Sequence, residues 1–199
     1  MADYRLAKTY QAIYRYRFVN VFLIKLLRRL QNSGYVRKNL RRFQHKFDIR
    51  RAGCGDLNAL SRWFAGKRQP IPGPKEYELQ IVFIARFYGL LSGCIKLIYF
   101  GEKRSCMPGY WLYSLVVRFP FRGMGLGERL CSTAVQYAHE QGIDQLHLLV
   151  QTKNEIARQV YARVGFSENQ ALQVVIPVNQ NLMVMSYDNQ TTGGPDEQC

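Results

Sequence analysis

Arg122-Gly123-Met124-Gly125-Leu126-Gly127 is the part of this 199-residue chain whose composition speaks most directly of chemistry. It follows the apolar run 112–117 and precedes Glu128-Arg129-Leu130-Cys131-Ser132-Thr133-Ala134-Val135, so it reads as a glycine turn leading from a strand into a helix that begins near Gly125. Without Cβ atoms, backbone N–H groups can approach an anion closely and adopt positive φ. The helix that follows turns its positive end to the same point. Such a turn suits a diphosphate. A P-loop would end in Gly-Lys-Ser/Thr, which is missing here, and a dinucleotide fingerprint would place a third glycine where Glu128 stands.

Further along, Leu146-His147-Leu148-Leu149-Val150 gives way to Asn154-Glu155-Ile156-Ala157-Arg158-Gln159-Val160-Tyr161-Ala162-Arg163-Val164-Gly165-Phe166. That order is strand, loop, helix and glycine stop. Together, R-x-x-G-x-G followed by N-x-x-A-x-x-x-Y-x-x-x-G-F resembles the GNAT superfamily of N-acyltransferases, which move an acyl group from acyl-coenzyme A to an amine. The resemblance implies roles for particular residues. Arg122, Gly123, Met124, Gly125, Leu126 and Gly127 would receive the coenzyme A diphosphate, and Asn154 matches the family's cofactor-contacting asparagine. Val117, by its place in V-x-x-x-x-R-G, would offer its N–H to the thioester oxygen. Tyr161 matches the tyrosine that protonates the departing thiolate, and an ordinary phenol is protonated at neutral pH. Apart from the resemblance, Tyr161 reads as a buried helix aromatic between Ala157 and Gly165. No carboxylate lies on the strand 110–117, so the general base is left to water, a backbone carbonyl, or a carboxylate such as Glu78 or Glu102.

These residues need a scaffold, and the pattern supplies one. Phe47 to Ala52 reads as a first strand, and Asp56 as the N-cap of a helix over 57–64. Gln69-Pro70-Ile71-Pro72-Gly73-Pro74 breaks the chain. Glu78 to Tyr88 and Gly93 to Phe100 form a hairpin leading to the strand at 110–117. Leu172 to Val178 and Leu182 to Tyr187 form a closing hairpin. The order β, α, β, β, β, α, β, α, β, β is that of the family. It implies an α/β (α+β) fold: a mixed, mainly antiparallel sheet of about seven strands, splayed after the fourth and flanked by helices. The resemblance covers residues 47–188.

With 47% hydrophobic residues the chain can bury one sizeable core. Residues 1–46 and 189–199 fall outside it, the latter as a polar tail. Five cysteines without CxxC spacing indicate reduced thiols in a cytoplasmic protein rather than a disulfide framework. His45, His139 and His147 do not cluster, and no metal is expected. Residues 1–51 hold fourteen Lys and Arg against Asp3 and Asp48, which places +12 of the chain's net +14 at the N-terminal end. Ala12, Tyr16, Val19, Leu23, Leu27 and Leu30 form one apolar stripe, and Val36, Leu40, Phe43 and Phe47 another, each opposite basic residues. They read as a basic amphipathic helical hairpin. No stretch in it has the roughly twenty apolar residues of a membrane span. The hairpin could pack on the catalytic domain or on a second copy in a homodimer. It could also meet an acidic carrier protein or leader peptide, an anionic membrane surface to which the protein would attach peripherally or, ranking lower, nucleic acid.

The functional expectation is N-acyl transfer, acetyl by default, from acyl-coenzyme A to the amine of a peptide or protein. One alternative is fatty-acyl transfer, from long-chain acyl-coenzyme A or acyl carrier protein, that lipidates a ribosomally made peptide, with Trp111, Tyr113, Phe119 and Phe121 as tunnel or core. Another is a non-catalytic coenzyme A-binding interaction module.

Overall fold

A computed structural model describes residues 47–64, 79–101, 107–175 and 181–189. The segment 1–46 read as a helical hairpin, the 69–74 break, Glu78, Glu102 and the residues beyond 189 lie outside the described residues.

Seven strands form one sheet: β1 Phe47–Arg51, β2 Leu79–Phe87, β3 Leu90–Phe100, β4 Gly109–Val117, β5 Gln145–Gln151, β6 Ser167–Glu168 and β7 Leu182–Asp188, in the order β1-β2-β3-β4-β5-β7-β6. All neighbours pair antiparallel except β4 and β5, which run parallel. Among the described residues four α-helices accompany them: α1 Cys54–Phe64, α2 Leu126–Glu140, α3 Glu155–Val164 and α4 Gln170–Val175.

Successive side chains point to opposite faces and both faces are covered, so the central strands are apolar nearly throughout. On β2, Ile81, Phe83, Ala85 and Phe87 join the core that holds Leu126, Leu130, Cys131 and Ala134 of α2 and Tyr161 of α3. Val82 and Ile84 point to the opposite face and pack with Leu60 of α1. A third cluster, Ile98, Phe100, Trp111 and Val184, fills the latter face further along. Gly93 lets α2 lie on β3: a Cβ there would meet Leu130 Cδ1 at 2.9 Å and the Val116 carbonyl oxygen at 3.0 Å.

The parallel ladder between β4 and β5 is two residues long, Trp111 to His147 and Leu112 to Leu148. Beyond it the strands part. On the other side of β4, Lys96 faces Tyr113 and Cys94 faces Val116, so β4 carries one extra residue, a bulge. Ser114 absorbs it with a φ of +53°. The bulge bends the end of β4 and opens the splay that the family resemblance implies.

Two details depart from the sequence reading. Asp56 is not the N-cap of α1 but the third residue of its first turn, reaching back to the Gly53 N–H at 3.0 Å, as an acidic residue does in a capping box. Arg50 and Arg86 hold the same carboxylate at 2.8 and 2.6 Å. The Arg86 hydrogen bond is the main reason that its pKa falls to about 2. The second departure concerns residues 172–178, read as a strand. Residues 170–175 are helical, 176–178 lie outside the described residues, and the partner of β7 on the side away from β5 is the two-residue β6. Asn169 starts this helix by accepting the Leu172 N–H at 2.8 Å. The Gln173 amide then takes ladder positions on β7, donating to the Leu182 carbonyl at 2.8 Å and accepting from the Val184 N–H at 2.7 Å. A side chain replaces the strand.

Candidate active site

The end of β4 with Val117, the glycine turn that opens α2, and α3 at Val160 come together at one junction. A one-turn 3-10 helix, Phe119–Phe121, joins β4 to the glycine turn. Exposure then alternates: Arg122 and Gly123 are exposed, Met124 and Leu126 are buried, and Gly125 and Gly127 lie between. Met124 and Leu126 are pegs in the core, and they hold the glycine backbone at the surface. Gly125 is the N-cap of α2 at a φ of +74°, a left-handed conformation that disfavours side chains. Having no side chain, it offers no cap. The first α-helical bond runs from the Arg129 N–H to the Gly125 carbonyl at 3.1 Å. The N–H groups of Leu126, Gly127 and Glu128 therefore lack intrahelical acceptors and stand at the positive end of a fifteen-residue helix. That is an anion-binding geometry. The residues fit a diphosphate.

Val117 is the last residue of β4. The Arg118 N–H donates to the Ser92 carbonyl on β3 at 2.8 Å, and Val117 lies opposite Gly93. By strand alternation the N–H and C=O of Val117 face away from β3, toward the side where β5 has left. Its carbonyl is taken by Arg122 Nε at 3.0 Å. Gly127 marks the point of convergence: a Cβ there would lie 3.9 Å from both Val117 Cγ2 and Val160 Cγ1. The start of α2 thus sits in contact range of both the end of β4 and α3.

Tyr161 follows Val160 on α3 and is 9% exposed. Its ring meets Phe166 edge-on at 6.1 Å between centroids. Burial, with Cys131 second, raises the pKa of its phenol well above the ordinary value, so the group stays protonated at neutral pH. Tyr161 is a core aromatic by packing and a proton holder by chemistry. Asn154 is exposed and caps α3, its Oδ1 accepting the Ala157 N–H at 3.2 Å. Glu128 of α2 pairs with Arg163 of α3 at 3.4 Å across the same junction.

Of the four aromatics considered as a tunnel, Trp111 is fully buried with its Nε1 donating to the Pro108 carbonyl at 3.1 Å, and Phe121 packs against Phe47 and Phe87. Both belong to the core. Sequence reasoning did not find the Arg122 bond to Val117, nor the buried group around His147. That ring stacks on Trp111 at 5.1 Å and places Nδ1 2.8 Å from Ser186 Oγ, and burial lowers its pKa. The apolar run Leu146 to Val150 in which His147 sits was the available signal of burial. Among the described residues no three His, Cys, Asp or Glu side chains gather as a metal site.

Comparison with known proteins agrees with this geometry. Residues 57–166 match the Acetyltransferase (GNAT) family. The chain is 32% identical over 87 residues to the N-alpha-acetyltransferase MAK3 of Arabidopsis thaliana, a match spanning 44% of this chain and 45% of that relative. The chain thus spans under half the length of that curated relative. Among solved structures, a GNAT-family acetyltransferase of Streptococcus pneumoniae is 20% identical with a TM-score of 0.54, covering 71% of this chain and 99% of its own. Arabidopsis thaliana Naa50 in complex with the bisubstrate analogue CoA-Ac-MVNAL is 21% identical with a TM-score of 0.54, covering 72% and 99%. The PaiA N-acetyltransferase of Thermoplasma acidophilum, in complex with coenzyme A, is 16% identical with a TM-score of 0.52, covering 71% and 98%. These likenesses establish a shared fold, and the family match takes in more than half of the 199 residues, including the glycine turn, the splayed strand and the helix of Tyr161. The chain belongs to the GNAT acetyltransferase family.

Proposed function

We propose that this chain transfers an acetyl group from acetyl-coenzyme A to the amino group of a peptide or protein. The observation that carries the reading is the meeting, at Gly127, of an uncapped helix N-terminus with a strand end whose Val117 N–H faces an open splay. The N–H groups of Leu126, Gly127 and Glu128 would hold the diphosphate, with the Arg122 guanidinium beside them. The Val117 N–H would donate to the thioester oxygen, a bond that strengthens as negative charge gathers there. Tyr161 would return a proton to sulfur as the carbon–sulfur bond breaks, while the amine gives one up. Asn154, which caps α3, would contact the cofactor as the family resemblance implies. The N-alpha-acetyltransferase relative and the bisubstrate analogue held by Naa50 favour a peptide amine over a small-molecule amine. Because Trp111 and Phe121 are committed to the core, the short acyl group is favoured over a long one.

The test is acetyl transfer from labelled acetyl-coenzyme A to the peptide Met-Val-Asn-Ala-Leu and to the same peptide with a blocked amino terminus. A mass gain of one acetyl on the free peptide alone supports the reading. Coenzyme A binding without transfer to any peptide or protein amine would instead point to a binding module.

A further inference from the structure

Arg122 has two possible jobs at this site, and the geometry separates them. One is charge, since a guanidinium at the mouth of the cradle attracts a diphosphate. The other follows from where its Nε points. The peptide unit joining Val117 to Arg118 is held at both ends: its N–H donates to the Ser92 carbonyl at 2.8 Å, and its C=O accepts from Arg122 Nε at 3.0 Å. On the other side of Val117, Val116 is paired with Cys94 on β3. The link between is itself wound tight, with the Phe121 N–H on the Arg118 carbonyl at 2.9 Å and the Arg122 N–H on the Phe119 carbonyl at 3.2 Å. The last residue of a strand, next to a bulge and with no strand paired to it on its splayed side among the described residues, would ordinarily fray.

We infer that Arg122 is a positioning residue for the transfer itself: its Nε clasps the Val117 carbonyl and holds the peptide unit that follows Val117, while the pairing of Val116 holds the unit that precedes it, so that together they fix the backbone at Val117 and the direction of its N–H, separately from any charge Arg122 lends to the diphosphate. The inference rests on the reading of Val117 as the thioester's hydrogen-bond donor. It makes the cradle and the polarising strand end one mechanical unit, joined through a single side chain.

Side-chain geometry offers a clean separation. Glutamine carries its Nε2 at the same bond distance from Cα as arginine carries Nε, so Arg122→Gln keeps a donor for the Val117 carbonyl and loses the charge. Arg122→Lys keeps the charge but concentrates it in one ammonium, which cannot serve both partners in Arg's fixed fork. Arg122→Met loses both. The side chain is exposed, so each variant should fold, and thermal unfolding checks this. The experiment measures acetyl-coenzyme A affinity by calorimetry and, at saturation, the infrared carbonyl band of the bound acetyl group carrying a carbon-13 label. The band moves to lower frequency when the oxygen accepts a hydrogen bond, and no acceptor is needed to see it. Arg122→Gln should keep the wild-type band while binding about tenfold more weakly; Arg122→Lys should bind nearly as wild type with the band displaced toward free acetyl-coenzyme A; Arg122→Met should show both defects. Where a peptide acceptor is turned over, kcat should follow the band, falling about tenfold in Arg122→Met and Arg122→Lys. A wild-type band in Arg122→Met, or one lost as fully in Arg122→Gln as in Arg122→Met, overturns the clasp and leaves the reading of the site standing. Wild-type protein that fails to bind acetyl-coenzyme A, or binds it with no displacement of the band, overturns that reading and the clasp with it.

Discussion

Gly125→Val tests the cradle at its most constrained point. Gly125 holds a φ of +74° as the N-cap of α2. An ordinary L-residue pays roughly 1–2 kcal/mol to stay in that region, and a β-branched one is a true outlier there. The variant must either carry this strain or rotate the backbone out of it. For a chain of this size, about 1–2 kcal/mol corresponds to a melting temperature lower by roughly 2–8 °C. Rotation would turn the N–H groups of Leu126 and Gly127 away from their common focus, and a side chain would stand over the site in either case. Coenzyme A should bind at least about tenfold more weakly, or roughly 1.4 kcal/mol. Gly127→Ala is the matched control. The same methyl, two residues on, enters ordinary contact range at 3.9 Å from Val117 and Val160, inside a helix where alanine is preferred to glycine. It should cost no stability. Calorimetric titration with coenzyme A and urea unfolding read both quantities. If folded Gly125→Val binds coenzyme A as tightly as wild type, the N–H groups at the start of α2 do not form the diphosphate site.

Tyr161→Phe should leave stability nearly unchanged, because the ring keeps its place against Phe166, yet lower kcat on the order of a hundredfold with little change in KM; an unaffected kcat would make Tyr161 a packing residue only. With no carboxylate on β4, kcat/KM should rise with pH through the acceptor's own pKa, near 8 for a terminal amine and near 10.4 for a lysine. A rise set instead by a group near 6 would reveal an enzyme base. The Asp56 carboxylate, depressed to about 2 by Arg86 and its neighbours, contributes stability that is fully present above about pH 4 and is lost as pH falls toward 2. Asp56→Asn should therefore flatten that acid limb while lowering stability by roughly 3 kcal/mol at neutral pH, measured by urea unfolding at several pH values.

How much of this was legible in the sequence follows from the range of each interaction. The glycine turn could be read because the demand is local: positive φ at Gly123 and Gly125 calls for glycine whatever surrounds it. The end of the helix of Tyr161 could be read from Gly165, whose φ of +106° stops it, whereas the cap that Asn154 provides at its start emerged from the structure. The apolar strands could be read because burial on both faces leaves them little polar alternation. The splay was a different matter. Its cause is a bulge at Ser114, a non-glycine residue at positive φ, and nothing local marks a serine for that conformation. Its place came from the family resemblance.

The errors share this origin. The run Leu172-Gln173-Val174-Val175 has the composition of a strand, and composition would have been right had β7 needed a backbone partner along its whole edge. Gln173 removed that need with one amide, and what followed was set by hydrogen bonds to residues about ten positions away. Asp56 was placed at the cap because its type fits a cap. Its carboxylate is instead shared among Gly53, Arg50 and Arg86, the last thirty residues distant, and three donors fix it better than one. Arg122 is the most telling case. Sequence assigns an arginine beside a phosphate cradle to the phosphate, since charge is visible in a residue's type. That its Nε bonds a carbonyl five residues earlier depends on how the link 118–121 winds, which residue type does not specify. The glycine turn is thus written in local pattern, whereas the hold on the end of β4, to which the proposal assigns the alignment of the reacting carbonyl, depends on contacts that exist only once the strand has bulged and the link has closed.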